Sequence, residues 1–509
     1  MKWIVRGLAA LMLLAITQPA LAADRWLKAT TQHFNVYGEV DEAELRATAS
    51  DLERYHRLLA GVMHVDDKAV TSRLDVYLLD RRDDLQAVQP GLDRAVVGFY
   101  RAGPGGRAAF VNWSSGLNDE ARHILQHEYA HHFMRQYFTW AYPVWFTEGF
   151  AEYFATATVK GDTIQLGGAA DMRVRQLEQQ PWISMDALLD ARHSITRGGM
   201  LYAQGWLLTH YLLRDPARAD QLQAYFAALR GGQAEPEAFA AAFKTDKATL
   251  QRQLTSYARS GMTYTAIPIK PLVAGEITVS PLPPSADDLL VPSLRLMRGR
   301  RGETDGQAAD ILASIGKKAA KYPGDPLAVR TLAHAQQVFG DPAVAVDMLK
   351  SLTTIQSDPY GQYLLGVSWL AVGKRDPARL AEATTEGKKA LARALKLDPT
   401  FYPALYRYSR TLPADSESVL DALVQAHLMA PQVDEIRIDA VIALLRKGEY
   451  DTAAGLIEPL AQSPHPDLNV AVAQVLRDKA AARQAPASDQ AMVAEARARL
   501  NQLTAETKP

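Results

Sequence analysis

Two short words restrict this chain of 509 residues more than any other feature. The first is Leu125-Gln-His-Glu-Tyr-Ala-His-His132, which holds His127-Glu128-x-x-His131. On a helix, residues four apart lie one turn up on nearly the same face, so both imidazoles can reach one metal ion. Glu128 projects about 100° around the helix from His127, which lets its carboxylate sit beside the metal as a base without becoming a ligand. The second word is Pro143-Val-Trp-Phe-Thr-Glu-Gly-Phe-Ala-Glu-Tyr-Phe154, with helical apolar spacing and an acid, Glu148, 17 residues after His131. A second helix carrying that carboxylate would complete a His₂Glu site with one position left open. A fold that satisfies both words must bring two helices together over one ion.

Neighbouring residues refine the picture. Gly149 removes a side chain where the two metal helices must approach closely, which accounts for a helix-propensity cost of roughly 1 kcal/mol. Glu152, four residues after Glu148, shares its face and can accept the free ring N–H of a ligand histidine; it is also the residue that could exchange with Glu148 as the ligand. His123 lies four residues before His127 and could share its face, but is read with His132, His193 and His210 as an ordinary polar or core histidine. The chain contains no cysteine, which excludes thiolate ligands, disulfides and a cysteine nucleophile. Two imidazoles and one carboxylate then predict Zn²⁺ as the cofactor.

With these motifs the sequence resembles the gluzincin zinc metallopeptidases, thermolysin-like and aminopeptidase-like, and especially the peptidase-MA-like exported bacterial proteins, over about residues 33–257. The resemblance implies metal ligation by His127, His131 and Glu148, the last within Trp145-x-x-Glu-Gly-x-Ala-Glu152, with Glu128 as the base. In the aminopeptidase-like branch a tyrosine in a Tyr-x-x-Gly word helps stabilise the oxyanion. Tyr202-Ala-Gln-Gly205 is similar, so Tyr202 is a catalytic candidate; the same residue could equally pack the helix that carries Trp206.

The expected fold class is an α+β metallopeptidase domain followed by an all-α tetratricopeptide-like solenoid. Residues 33–38 and 73–79 alternate as strands around a helix over 42–63, and residues 96–100 and 108–113 flank a Gly103-Pro-Gly-Gly106 turn, which together predict a small mixed sheet. Helices follow from about 118 to 259, with Asn118 a plausible N-cap. Five prolines from Pro268 to Pro284 predict a linker over 266–284, dividing a peptidase domain at 23–265 from helical repeats at 285–509. In the repeats, Pro326, Pro359, Pro399, Pro431 and Pro466 are separated by 33, 40, 32 and 35 residues, a helix–turn–helix period. Residues 397–405 and 447–454 resemble tetratricopeptide repeats. The 40-residue spacing is read as an insertion near Lys374 to Ala383, either a longer loop or an extended helix.

The N-terminus has a basic start, an apolar run of about ten residues and an Ala-Leu-Ala word ending at Ala22, so residues 1–22 are expected to be a cleaved signal peptide. No membrane span is expected after cleavage, and the mature chain is expected in the periplasm or outside the cell. With 56 Lys+Arg against 57 Asp+Glu there is no electrostatic footprint for nucleic acid. The expected function is hydrolysis of peptide bonds in a peptide or protein substrate: zinc polarises the carbonyl and acidifies a water, and Glu128 moves the proton. Residues 94–117 hold no acid but do hold Arg94, Arg101 and Arg107, so a substrate α-ammonium finds no carboxylate there and endopeptidase action is favoured. Residues 108–113 are read as an edge strand to which substrate could add. The alternative is a non-catalytic scaffold whose repeats hold a protein partner beside a degenerate peptidase-like domain.

Overall fold

The computed structural model describes residues 26–66, 72–94, 96–114, 119–138, 140, 142–189, 198–270, 275–413, 416–463 and 467–506. The expected leader, Asn118, His193, Pro271 and Pro466 lie outside these residues. In chain order the first half runs β1 (Leu27–Thr30), β2 (Phe34–Gly38), α1 (Glu42–Val62), β3 (Leu74–Leu79), α2 (Arg82–Val88), β4 (Gly98–Gly103) and β5 (Gly106–Asn112). It continues with α3 (Asp119–Tyr137), α4 (Val144–Phe154), β6 (Thr158–Lys160), β7 (Thr163–Leu166), α5 (Asp171–Gln179), α6 (Met185–Leu189) and α7 (Gly198–Leu213). Then come α8 (Pro216–Arg230), α9 (Glu235–Phe243), α10 (Lys247–Arg259), β8 (Thr265–Pro268) and β9 (Thr278–Pro281).

The main sheet has the order β4-β5-β3-β2-β1-β9, with β2, β3 and β5 parallel to one another and the other pairs antiparallel. β4 is the edge strand, and β5 is paired on both sides. The expectation of an edge at residues 108–113 is therefore corrected: β5 must be interior because Ala108–Val111 is apolar on both faces and needs cover on both. The period of two splits each strand between two cores. Val76 and Leu78 of β3 and Ala109 and Val111 of β5 pack with α1, α3 and α4, whereas Tyr77, Leu79, Ala108 and Phe110 face the other way. That second face is covered by α11 (Ala286–Leu296), through Ala286, Leu290 and Leu294.

Both described ends of the expected linker, on either side of residues 271–274, contain a paired strand. The boundary at 265 falls inside β8, which pairs with β7 in a second sheet of order β6-β7-β8, and β9 adds to β1 at the far edge of the main sheet. Proline is tolerated there because Pro268 and Pro281 close edge strands, where a missing N–H costs no ladder bond.

Beyond α11 the chain is helical: α12 (Asp305–Ala319), α13 (Pro326–Phe339), α14 (Pro342–Ser351), α15 (Pro359–Arg375), α16 (Leu380–Leu397) and α17 (Tyr402–Ser409). These lead to α18 (Glu417–Met429), α19 (Asp434–Lys447), α20 (Tyr450–Ala461), α21 (Leu468–Ala481) and α22 (Asp489–Glu506). From α12 onwards each helix packs on the next in sequence. Asp325, Asp341 and Asp358 accept backbone N–H groups at the starts of α13, α14 and α15, with proline at the first helical position. The material around Lys374 lengthens α15 and α16 and leaves only a short turn between them. Among the described residues no helix is long and apolar enough to cross a membrane.

The helices clamp the β4–β5 hairpin. Tyr402 donates its hydroxyl to the Gly103 carbonyl at 2.9 Å, and Arg101 donates to the Leu294 carbonyl at 3.0 Å. Arg107 is buried and donates to Gln136, Gln432, the Met429 carbonyl and Ser72. Gly106 has φ +148°, a backbone conformation that residues with a side chain rarely adopt, so the turn itself needs glycine.

Candidate metal centre

Helix α3 divides its residues by face. Leu125, Tyr129, Ala130 and Phe133 are buried against the sheet and α1, which leaves His123, His127 and His131, spaced by four, as a stripe that meets α4. Helix α4 is buried almost throughout, and its acids Glu148 and Glu152 are 6% and 1% exposed. Carboxylates that far from water need compensation, and the partners supply it.

Glu148 Oε2 lies 3.6 Å from His127 Nε2 and 3.3 Å from His131 Nε2, and the two Nε2 atoms are 3.0 Å apart. Ligand bonds of about 2.0–2.1 Å in a tetrahedron put donor atoms roughly 3.3 Å apart, so this triangle is the size a zinc ion needs. Burial would lower the His131 pKa, yet the Glu148 carboxylate, with Glu128 behind it, raises it: the pocket favours positive charge. Glu128 is half-buried, and its charge also acts on Tyr202.

A second group of possible donors, His123, His127 and Glu152, shares His127. Here the carboxylate is already engaged. Arg173 on α5 grips it with Nη2 2.5 Å from Oε1 and Nε 2.8 Å from Oε2, while His127 Nδ1 is 3.1 Å from Oε1 and His123 Nε2 is 3.1 Å from Oε2. Burial alone would raise the Glu152 pKa, but the bonds from Arg173, His123 and His127 outweigh it and hold the acid well below the usual carboxylate range. A cation beside that guanidinium would be repelled, so Glu152 suits the outer side of His127, fixing its ring while Nε2 faces Glu148. We expect Arg173→Gln to weaken zinc binding by about 10–100-fold in a chelator competition; unchanged affinity would show that Glu152 holds its place without the guanidinium.

Arg173 was not foreseen because nothing local marks it: it sits 21 residues after Glu152 on another helix. His123 had a signal in its spacing from His127, and the structure gives it a place against Glu152 that the sequence reading did not assign.

The role foreseen for Gly149 is also corrected. A Cβ there would lie 2.3 Å from the Gly205 carbonyl oxygen and 2.4 Å from Thr209 Oγ1, so the close approach is between α4 and α7, not between the two metal helices. Gly205 is reciprocal, its Cβ falling 2.6 Å from the Trp145 carbonyl oxygen. This crossing carries Tyr202, one turn before Gly205, to the centre: its ring centroid is 6.3 Å from that of His127, with the Arg173 guanidinium 5.1 Å over its face. Burial, then the Glu148 carboxylate, pushes the Tyr202 pKa up to about 12, keeping the phenol protonated and able to donate. Gly149→Ala should destabilise the chain by about 1–3 kcal/mol or more, because backbone atoms cannot move aside as a side chain can. A thermal melt matching that of the parent chain would contradict so close a crossing.

The family described as collagenase, Peptidase_M9, matches residues 95–246, from just before β4 to the end of α9, a span that contains both metal words, Arg173 and Tyr202. No curated protein matches the chain. The likeness to collagenases supports a zinc-dependent metallopeptidase acting on a peptide or protein, and with the His/Glu donor groups it makes zinc the cofactor.

Proposed function

We propose that the chain is an exported zinc endopeptidase in which His127, His131 and Glu148 hold the metal and Glu128 is the general base. The observation that carries the reading is the convergence of three donor atoms within 3.6 Å of one another, next to a carboxylate that no donor triangle uses. Zinc bound there supplies Lewis-acid polarisation of a scissile carbonyl. Glu128 takes a proton from the attacking water and passes it to the leaving amine. The neutral Tyr202 hydroxyl donates to the oxygen that gains charge in the transition state. Glu152, locked by Arg173, keeps the His127 ring from turning.

Endopeptidase action rests on the absence of an acid from residues 94–117 and on the edge position of β4 (Gly98–Gly103) in the sheet, beside α3. Arg101 and Arg107 do not line the donor triangle, since both reach the C-terminal helices. Those helices we read as tetratricopeptide-like repeats, able to hold a protein partner as well as the hairpin, and residues 1–22 as the leader that takes the chain to the periplasm or beyond. The test is a peptide library, each member free and N-acetylated, given to the zinc-loaded full chain. Internal cleavage of acetylated peptides is expected. Single residues released only from free N-termini would overturn the endopeptidase reading, and no cleavage of any peptide would overturn the activity.

A further inference from the structure

Between the β4–β5 hairpin and the helices from α11 to α21 lies a cavity of about 1060 Å³, away from the donor triangle. Its lining is basic: Arg101 from β4, Arg135 from α3, Arg301 after α11, Lys374 from α15 and Arg407 from α17 all face it. The acidic lining is outnumbered. Asp434 and Glu435, in the first turn of α19, are half-buried and feel the charges of Arg135 and Arg301 respectively, and Asp467 caps α21 by accepting the Val470 N–H. Glu303 and Asp305, outside the cavity, neutralise Arg298 and Arg300. Arg101, Arg301, Lys374 and Arg407, in contrast, form no ion pair among the described residues, and the buried Nη1 of Arg101 has no hydrogen-bond partner. Burial first, with Arg298 and Arg301 nearby, pulls the Arg101 pKa down to about 10. Like charges gathered in a recess cost free energy that an anion would recover.

The cavity also abuts the metal helix. Arg135 is four residues after His131, about 6 Å further along α3. Tyr100, on the cavity wall, is 3.0 Å from His132 Nδ1 through its hydroxyl. A polypeptide with one part at the donor triangle could place another part here.

We propose that this cavity binds an acidic segment of the polypeptide substrate, so that carboxylates flanking the cleaved bond select what the enzyme cuts. The proposal rests on the peptidase reading for its purpose but not for its test. The full-length Glu128→Gln chain is titrated into fluorescein-labelled hexaglutamate and, separately, hexalysine, with anisotropy as the readout. Hexaglutamate should bind saturably, more weakly at about 300 mM than at about 50 mM salt, and hexalysine should not. The double variant Arg301→Glu/Lys374→Glu, changed at exposed positions, should raise Kd about tenfold or more. Unchanged affinity in that variant, or equal binding of both peptides, would overturn the proposal, as would full displacement by dextran sulfate at equal charge, which would reassign the cavity to a polysaccharide. In the chain with Glu128 intact, adding a glutamate tail to a cleaved peptide should lower KM, and the double variant should abolish that gain while cleaving the untailed peptide normally. If no peptide is cleaved, the peptidase reading fails while the binding titration still decides the cavity.

Discussion

Glu128→Gln should keep one zinc ion per chain and lose peptide hydrolysis by about 10²–10⁴-fold, the amount a positioned base contributes. Glu148→Ala should lose the metal as well. The two acids differ in what surrounds them. Glu148 Oε2 closes a triangle with two imidazole nitrogens, and removing it leaves two imidazoles without their carboxylate. Glu128 belongs to neither donor group, and glutamine fills the same space without the charge that accepts a proton. Metal analysis and turnover measured on the same preparations decide the matter. Equal loss of zinc in both variants would overturn the assignment of roles, and full turnover in Glu128→Gln would remove Glu128 from the chemistry.

Cutting the chain after Ile267 should yield insoluble protein, although the donor residues and the helices around them would all remain. The cut removes β9, which leaves β1 as a bare edge prone to pair with other chains. It also strips α11 from the sheet and exposes Trp26, Tyr77, Leu79 and Phe110, which the whole chain buries. Each such exposure costs about 1.5–3 kcal/mol, and four together are comparable with the net stability of a domain. Extending the chain to Met297 restores β9 and α11 and should recover soluble protein. A well-folded, soluble chain ending at Ile267 would show that the helices only rest on the sheet.

The motif words were legible because their chemistry is local. His127, Glu128 and His131 lie on one helix, Glu148 and Glu152 on the next, and helical geometry alone brings each set to one face. Strand alternation marked β2 (Phe34–Gly38) and β3 (Leu74–Leu79), since it records which way side chains point, and the repeat-spaced Pro326 and Pro359 stand at two helix starts. Other features had no such mark. Pro268 and Pro281 suggested a linker, because proline forbids a ladder bond in an interior strand; only the sheet order shows that they stand at edges, where the bond is not needed. β5 was misplaced for a related reason, since an apolar run does not say what covers its second face, and here the cover comes from α11, some 180 residues later.

What the sequence determined by itself is a candidate donor set: two imidazoles and a carboxylate, with a further acid beside them, at spacings that helices bring to one face. Tertiary structure alone decided how that set is held. The choice between Glu148 and Glu152 depends on Arg173, which reaches Glu152 from another helix, and the place of Tyr202 depends on Gly149 and Gly205 touching across two helices. Spacing along one helix follows from its fixed pitch, but contacts between helices follow from packing the whole core, and no short word in the sequence encodes that.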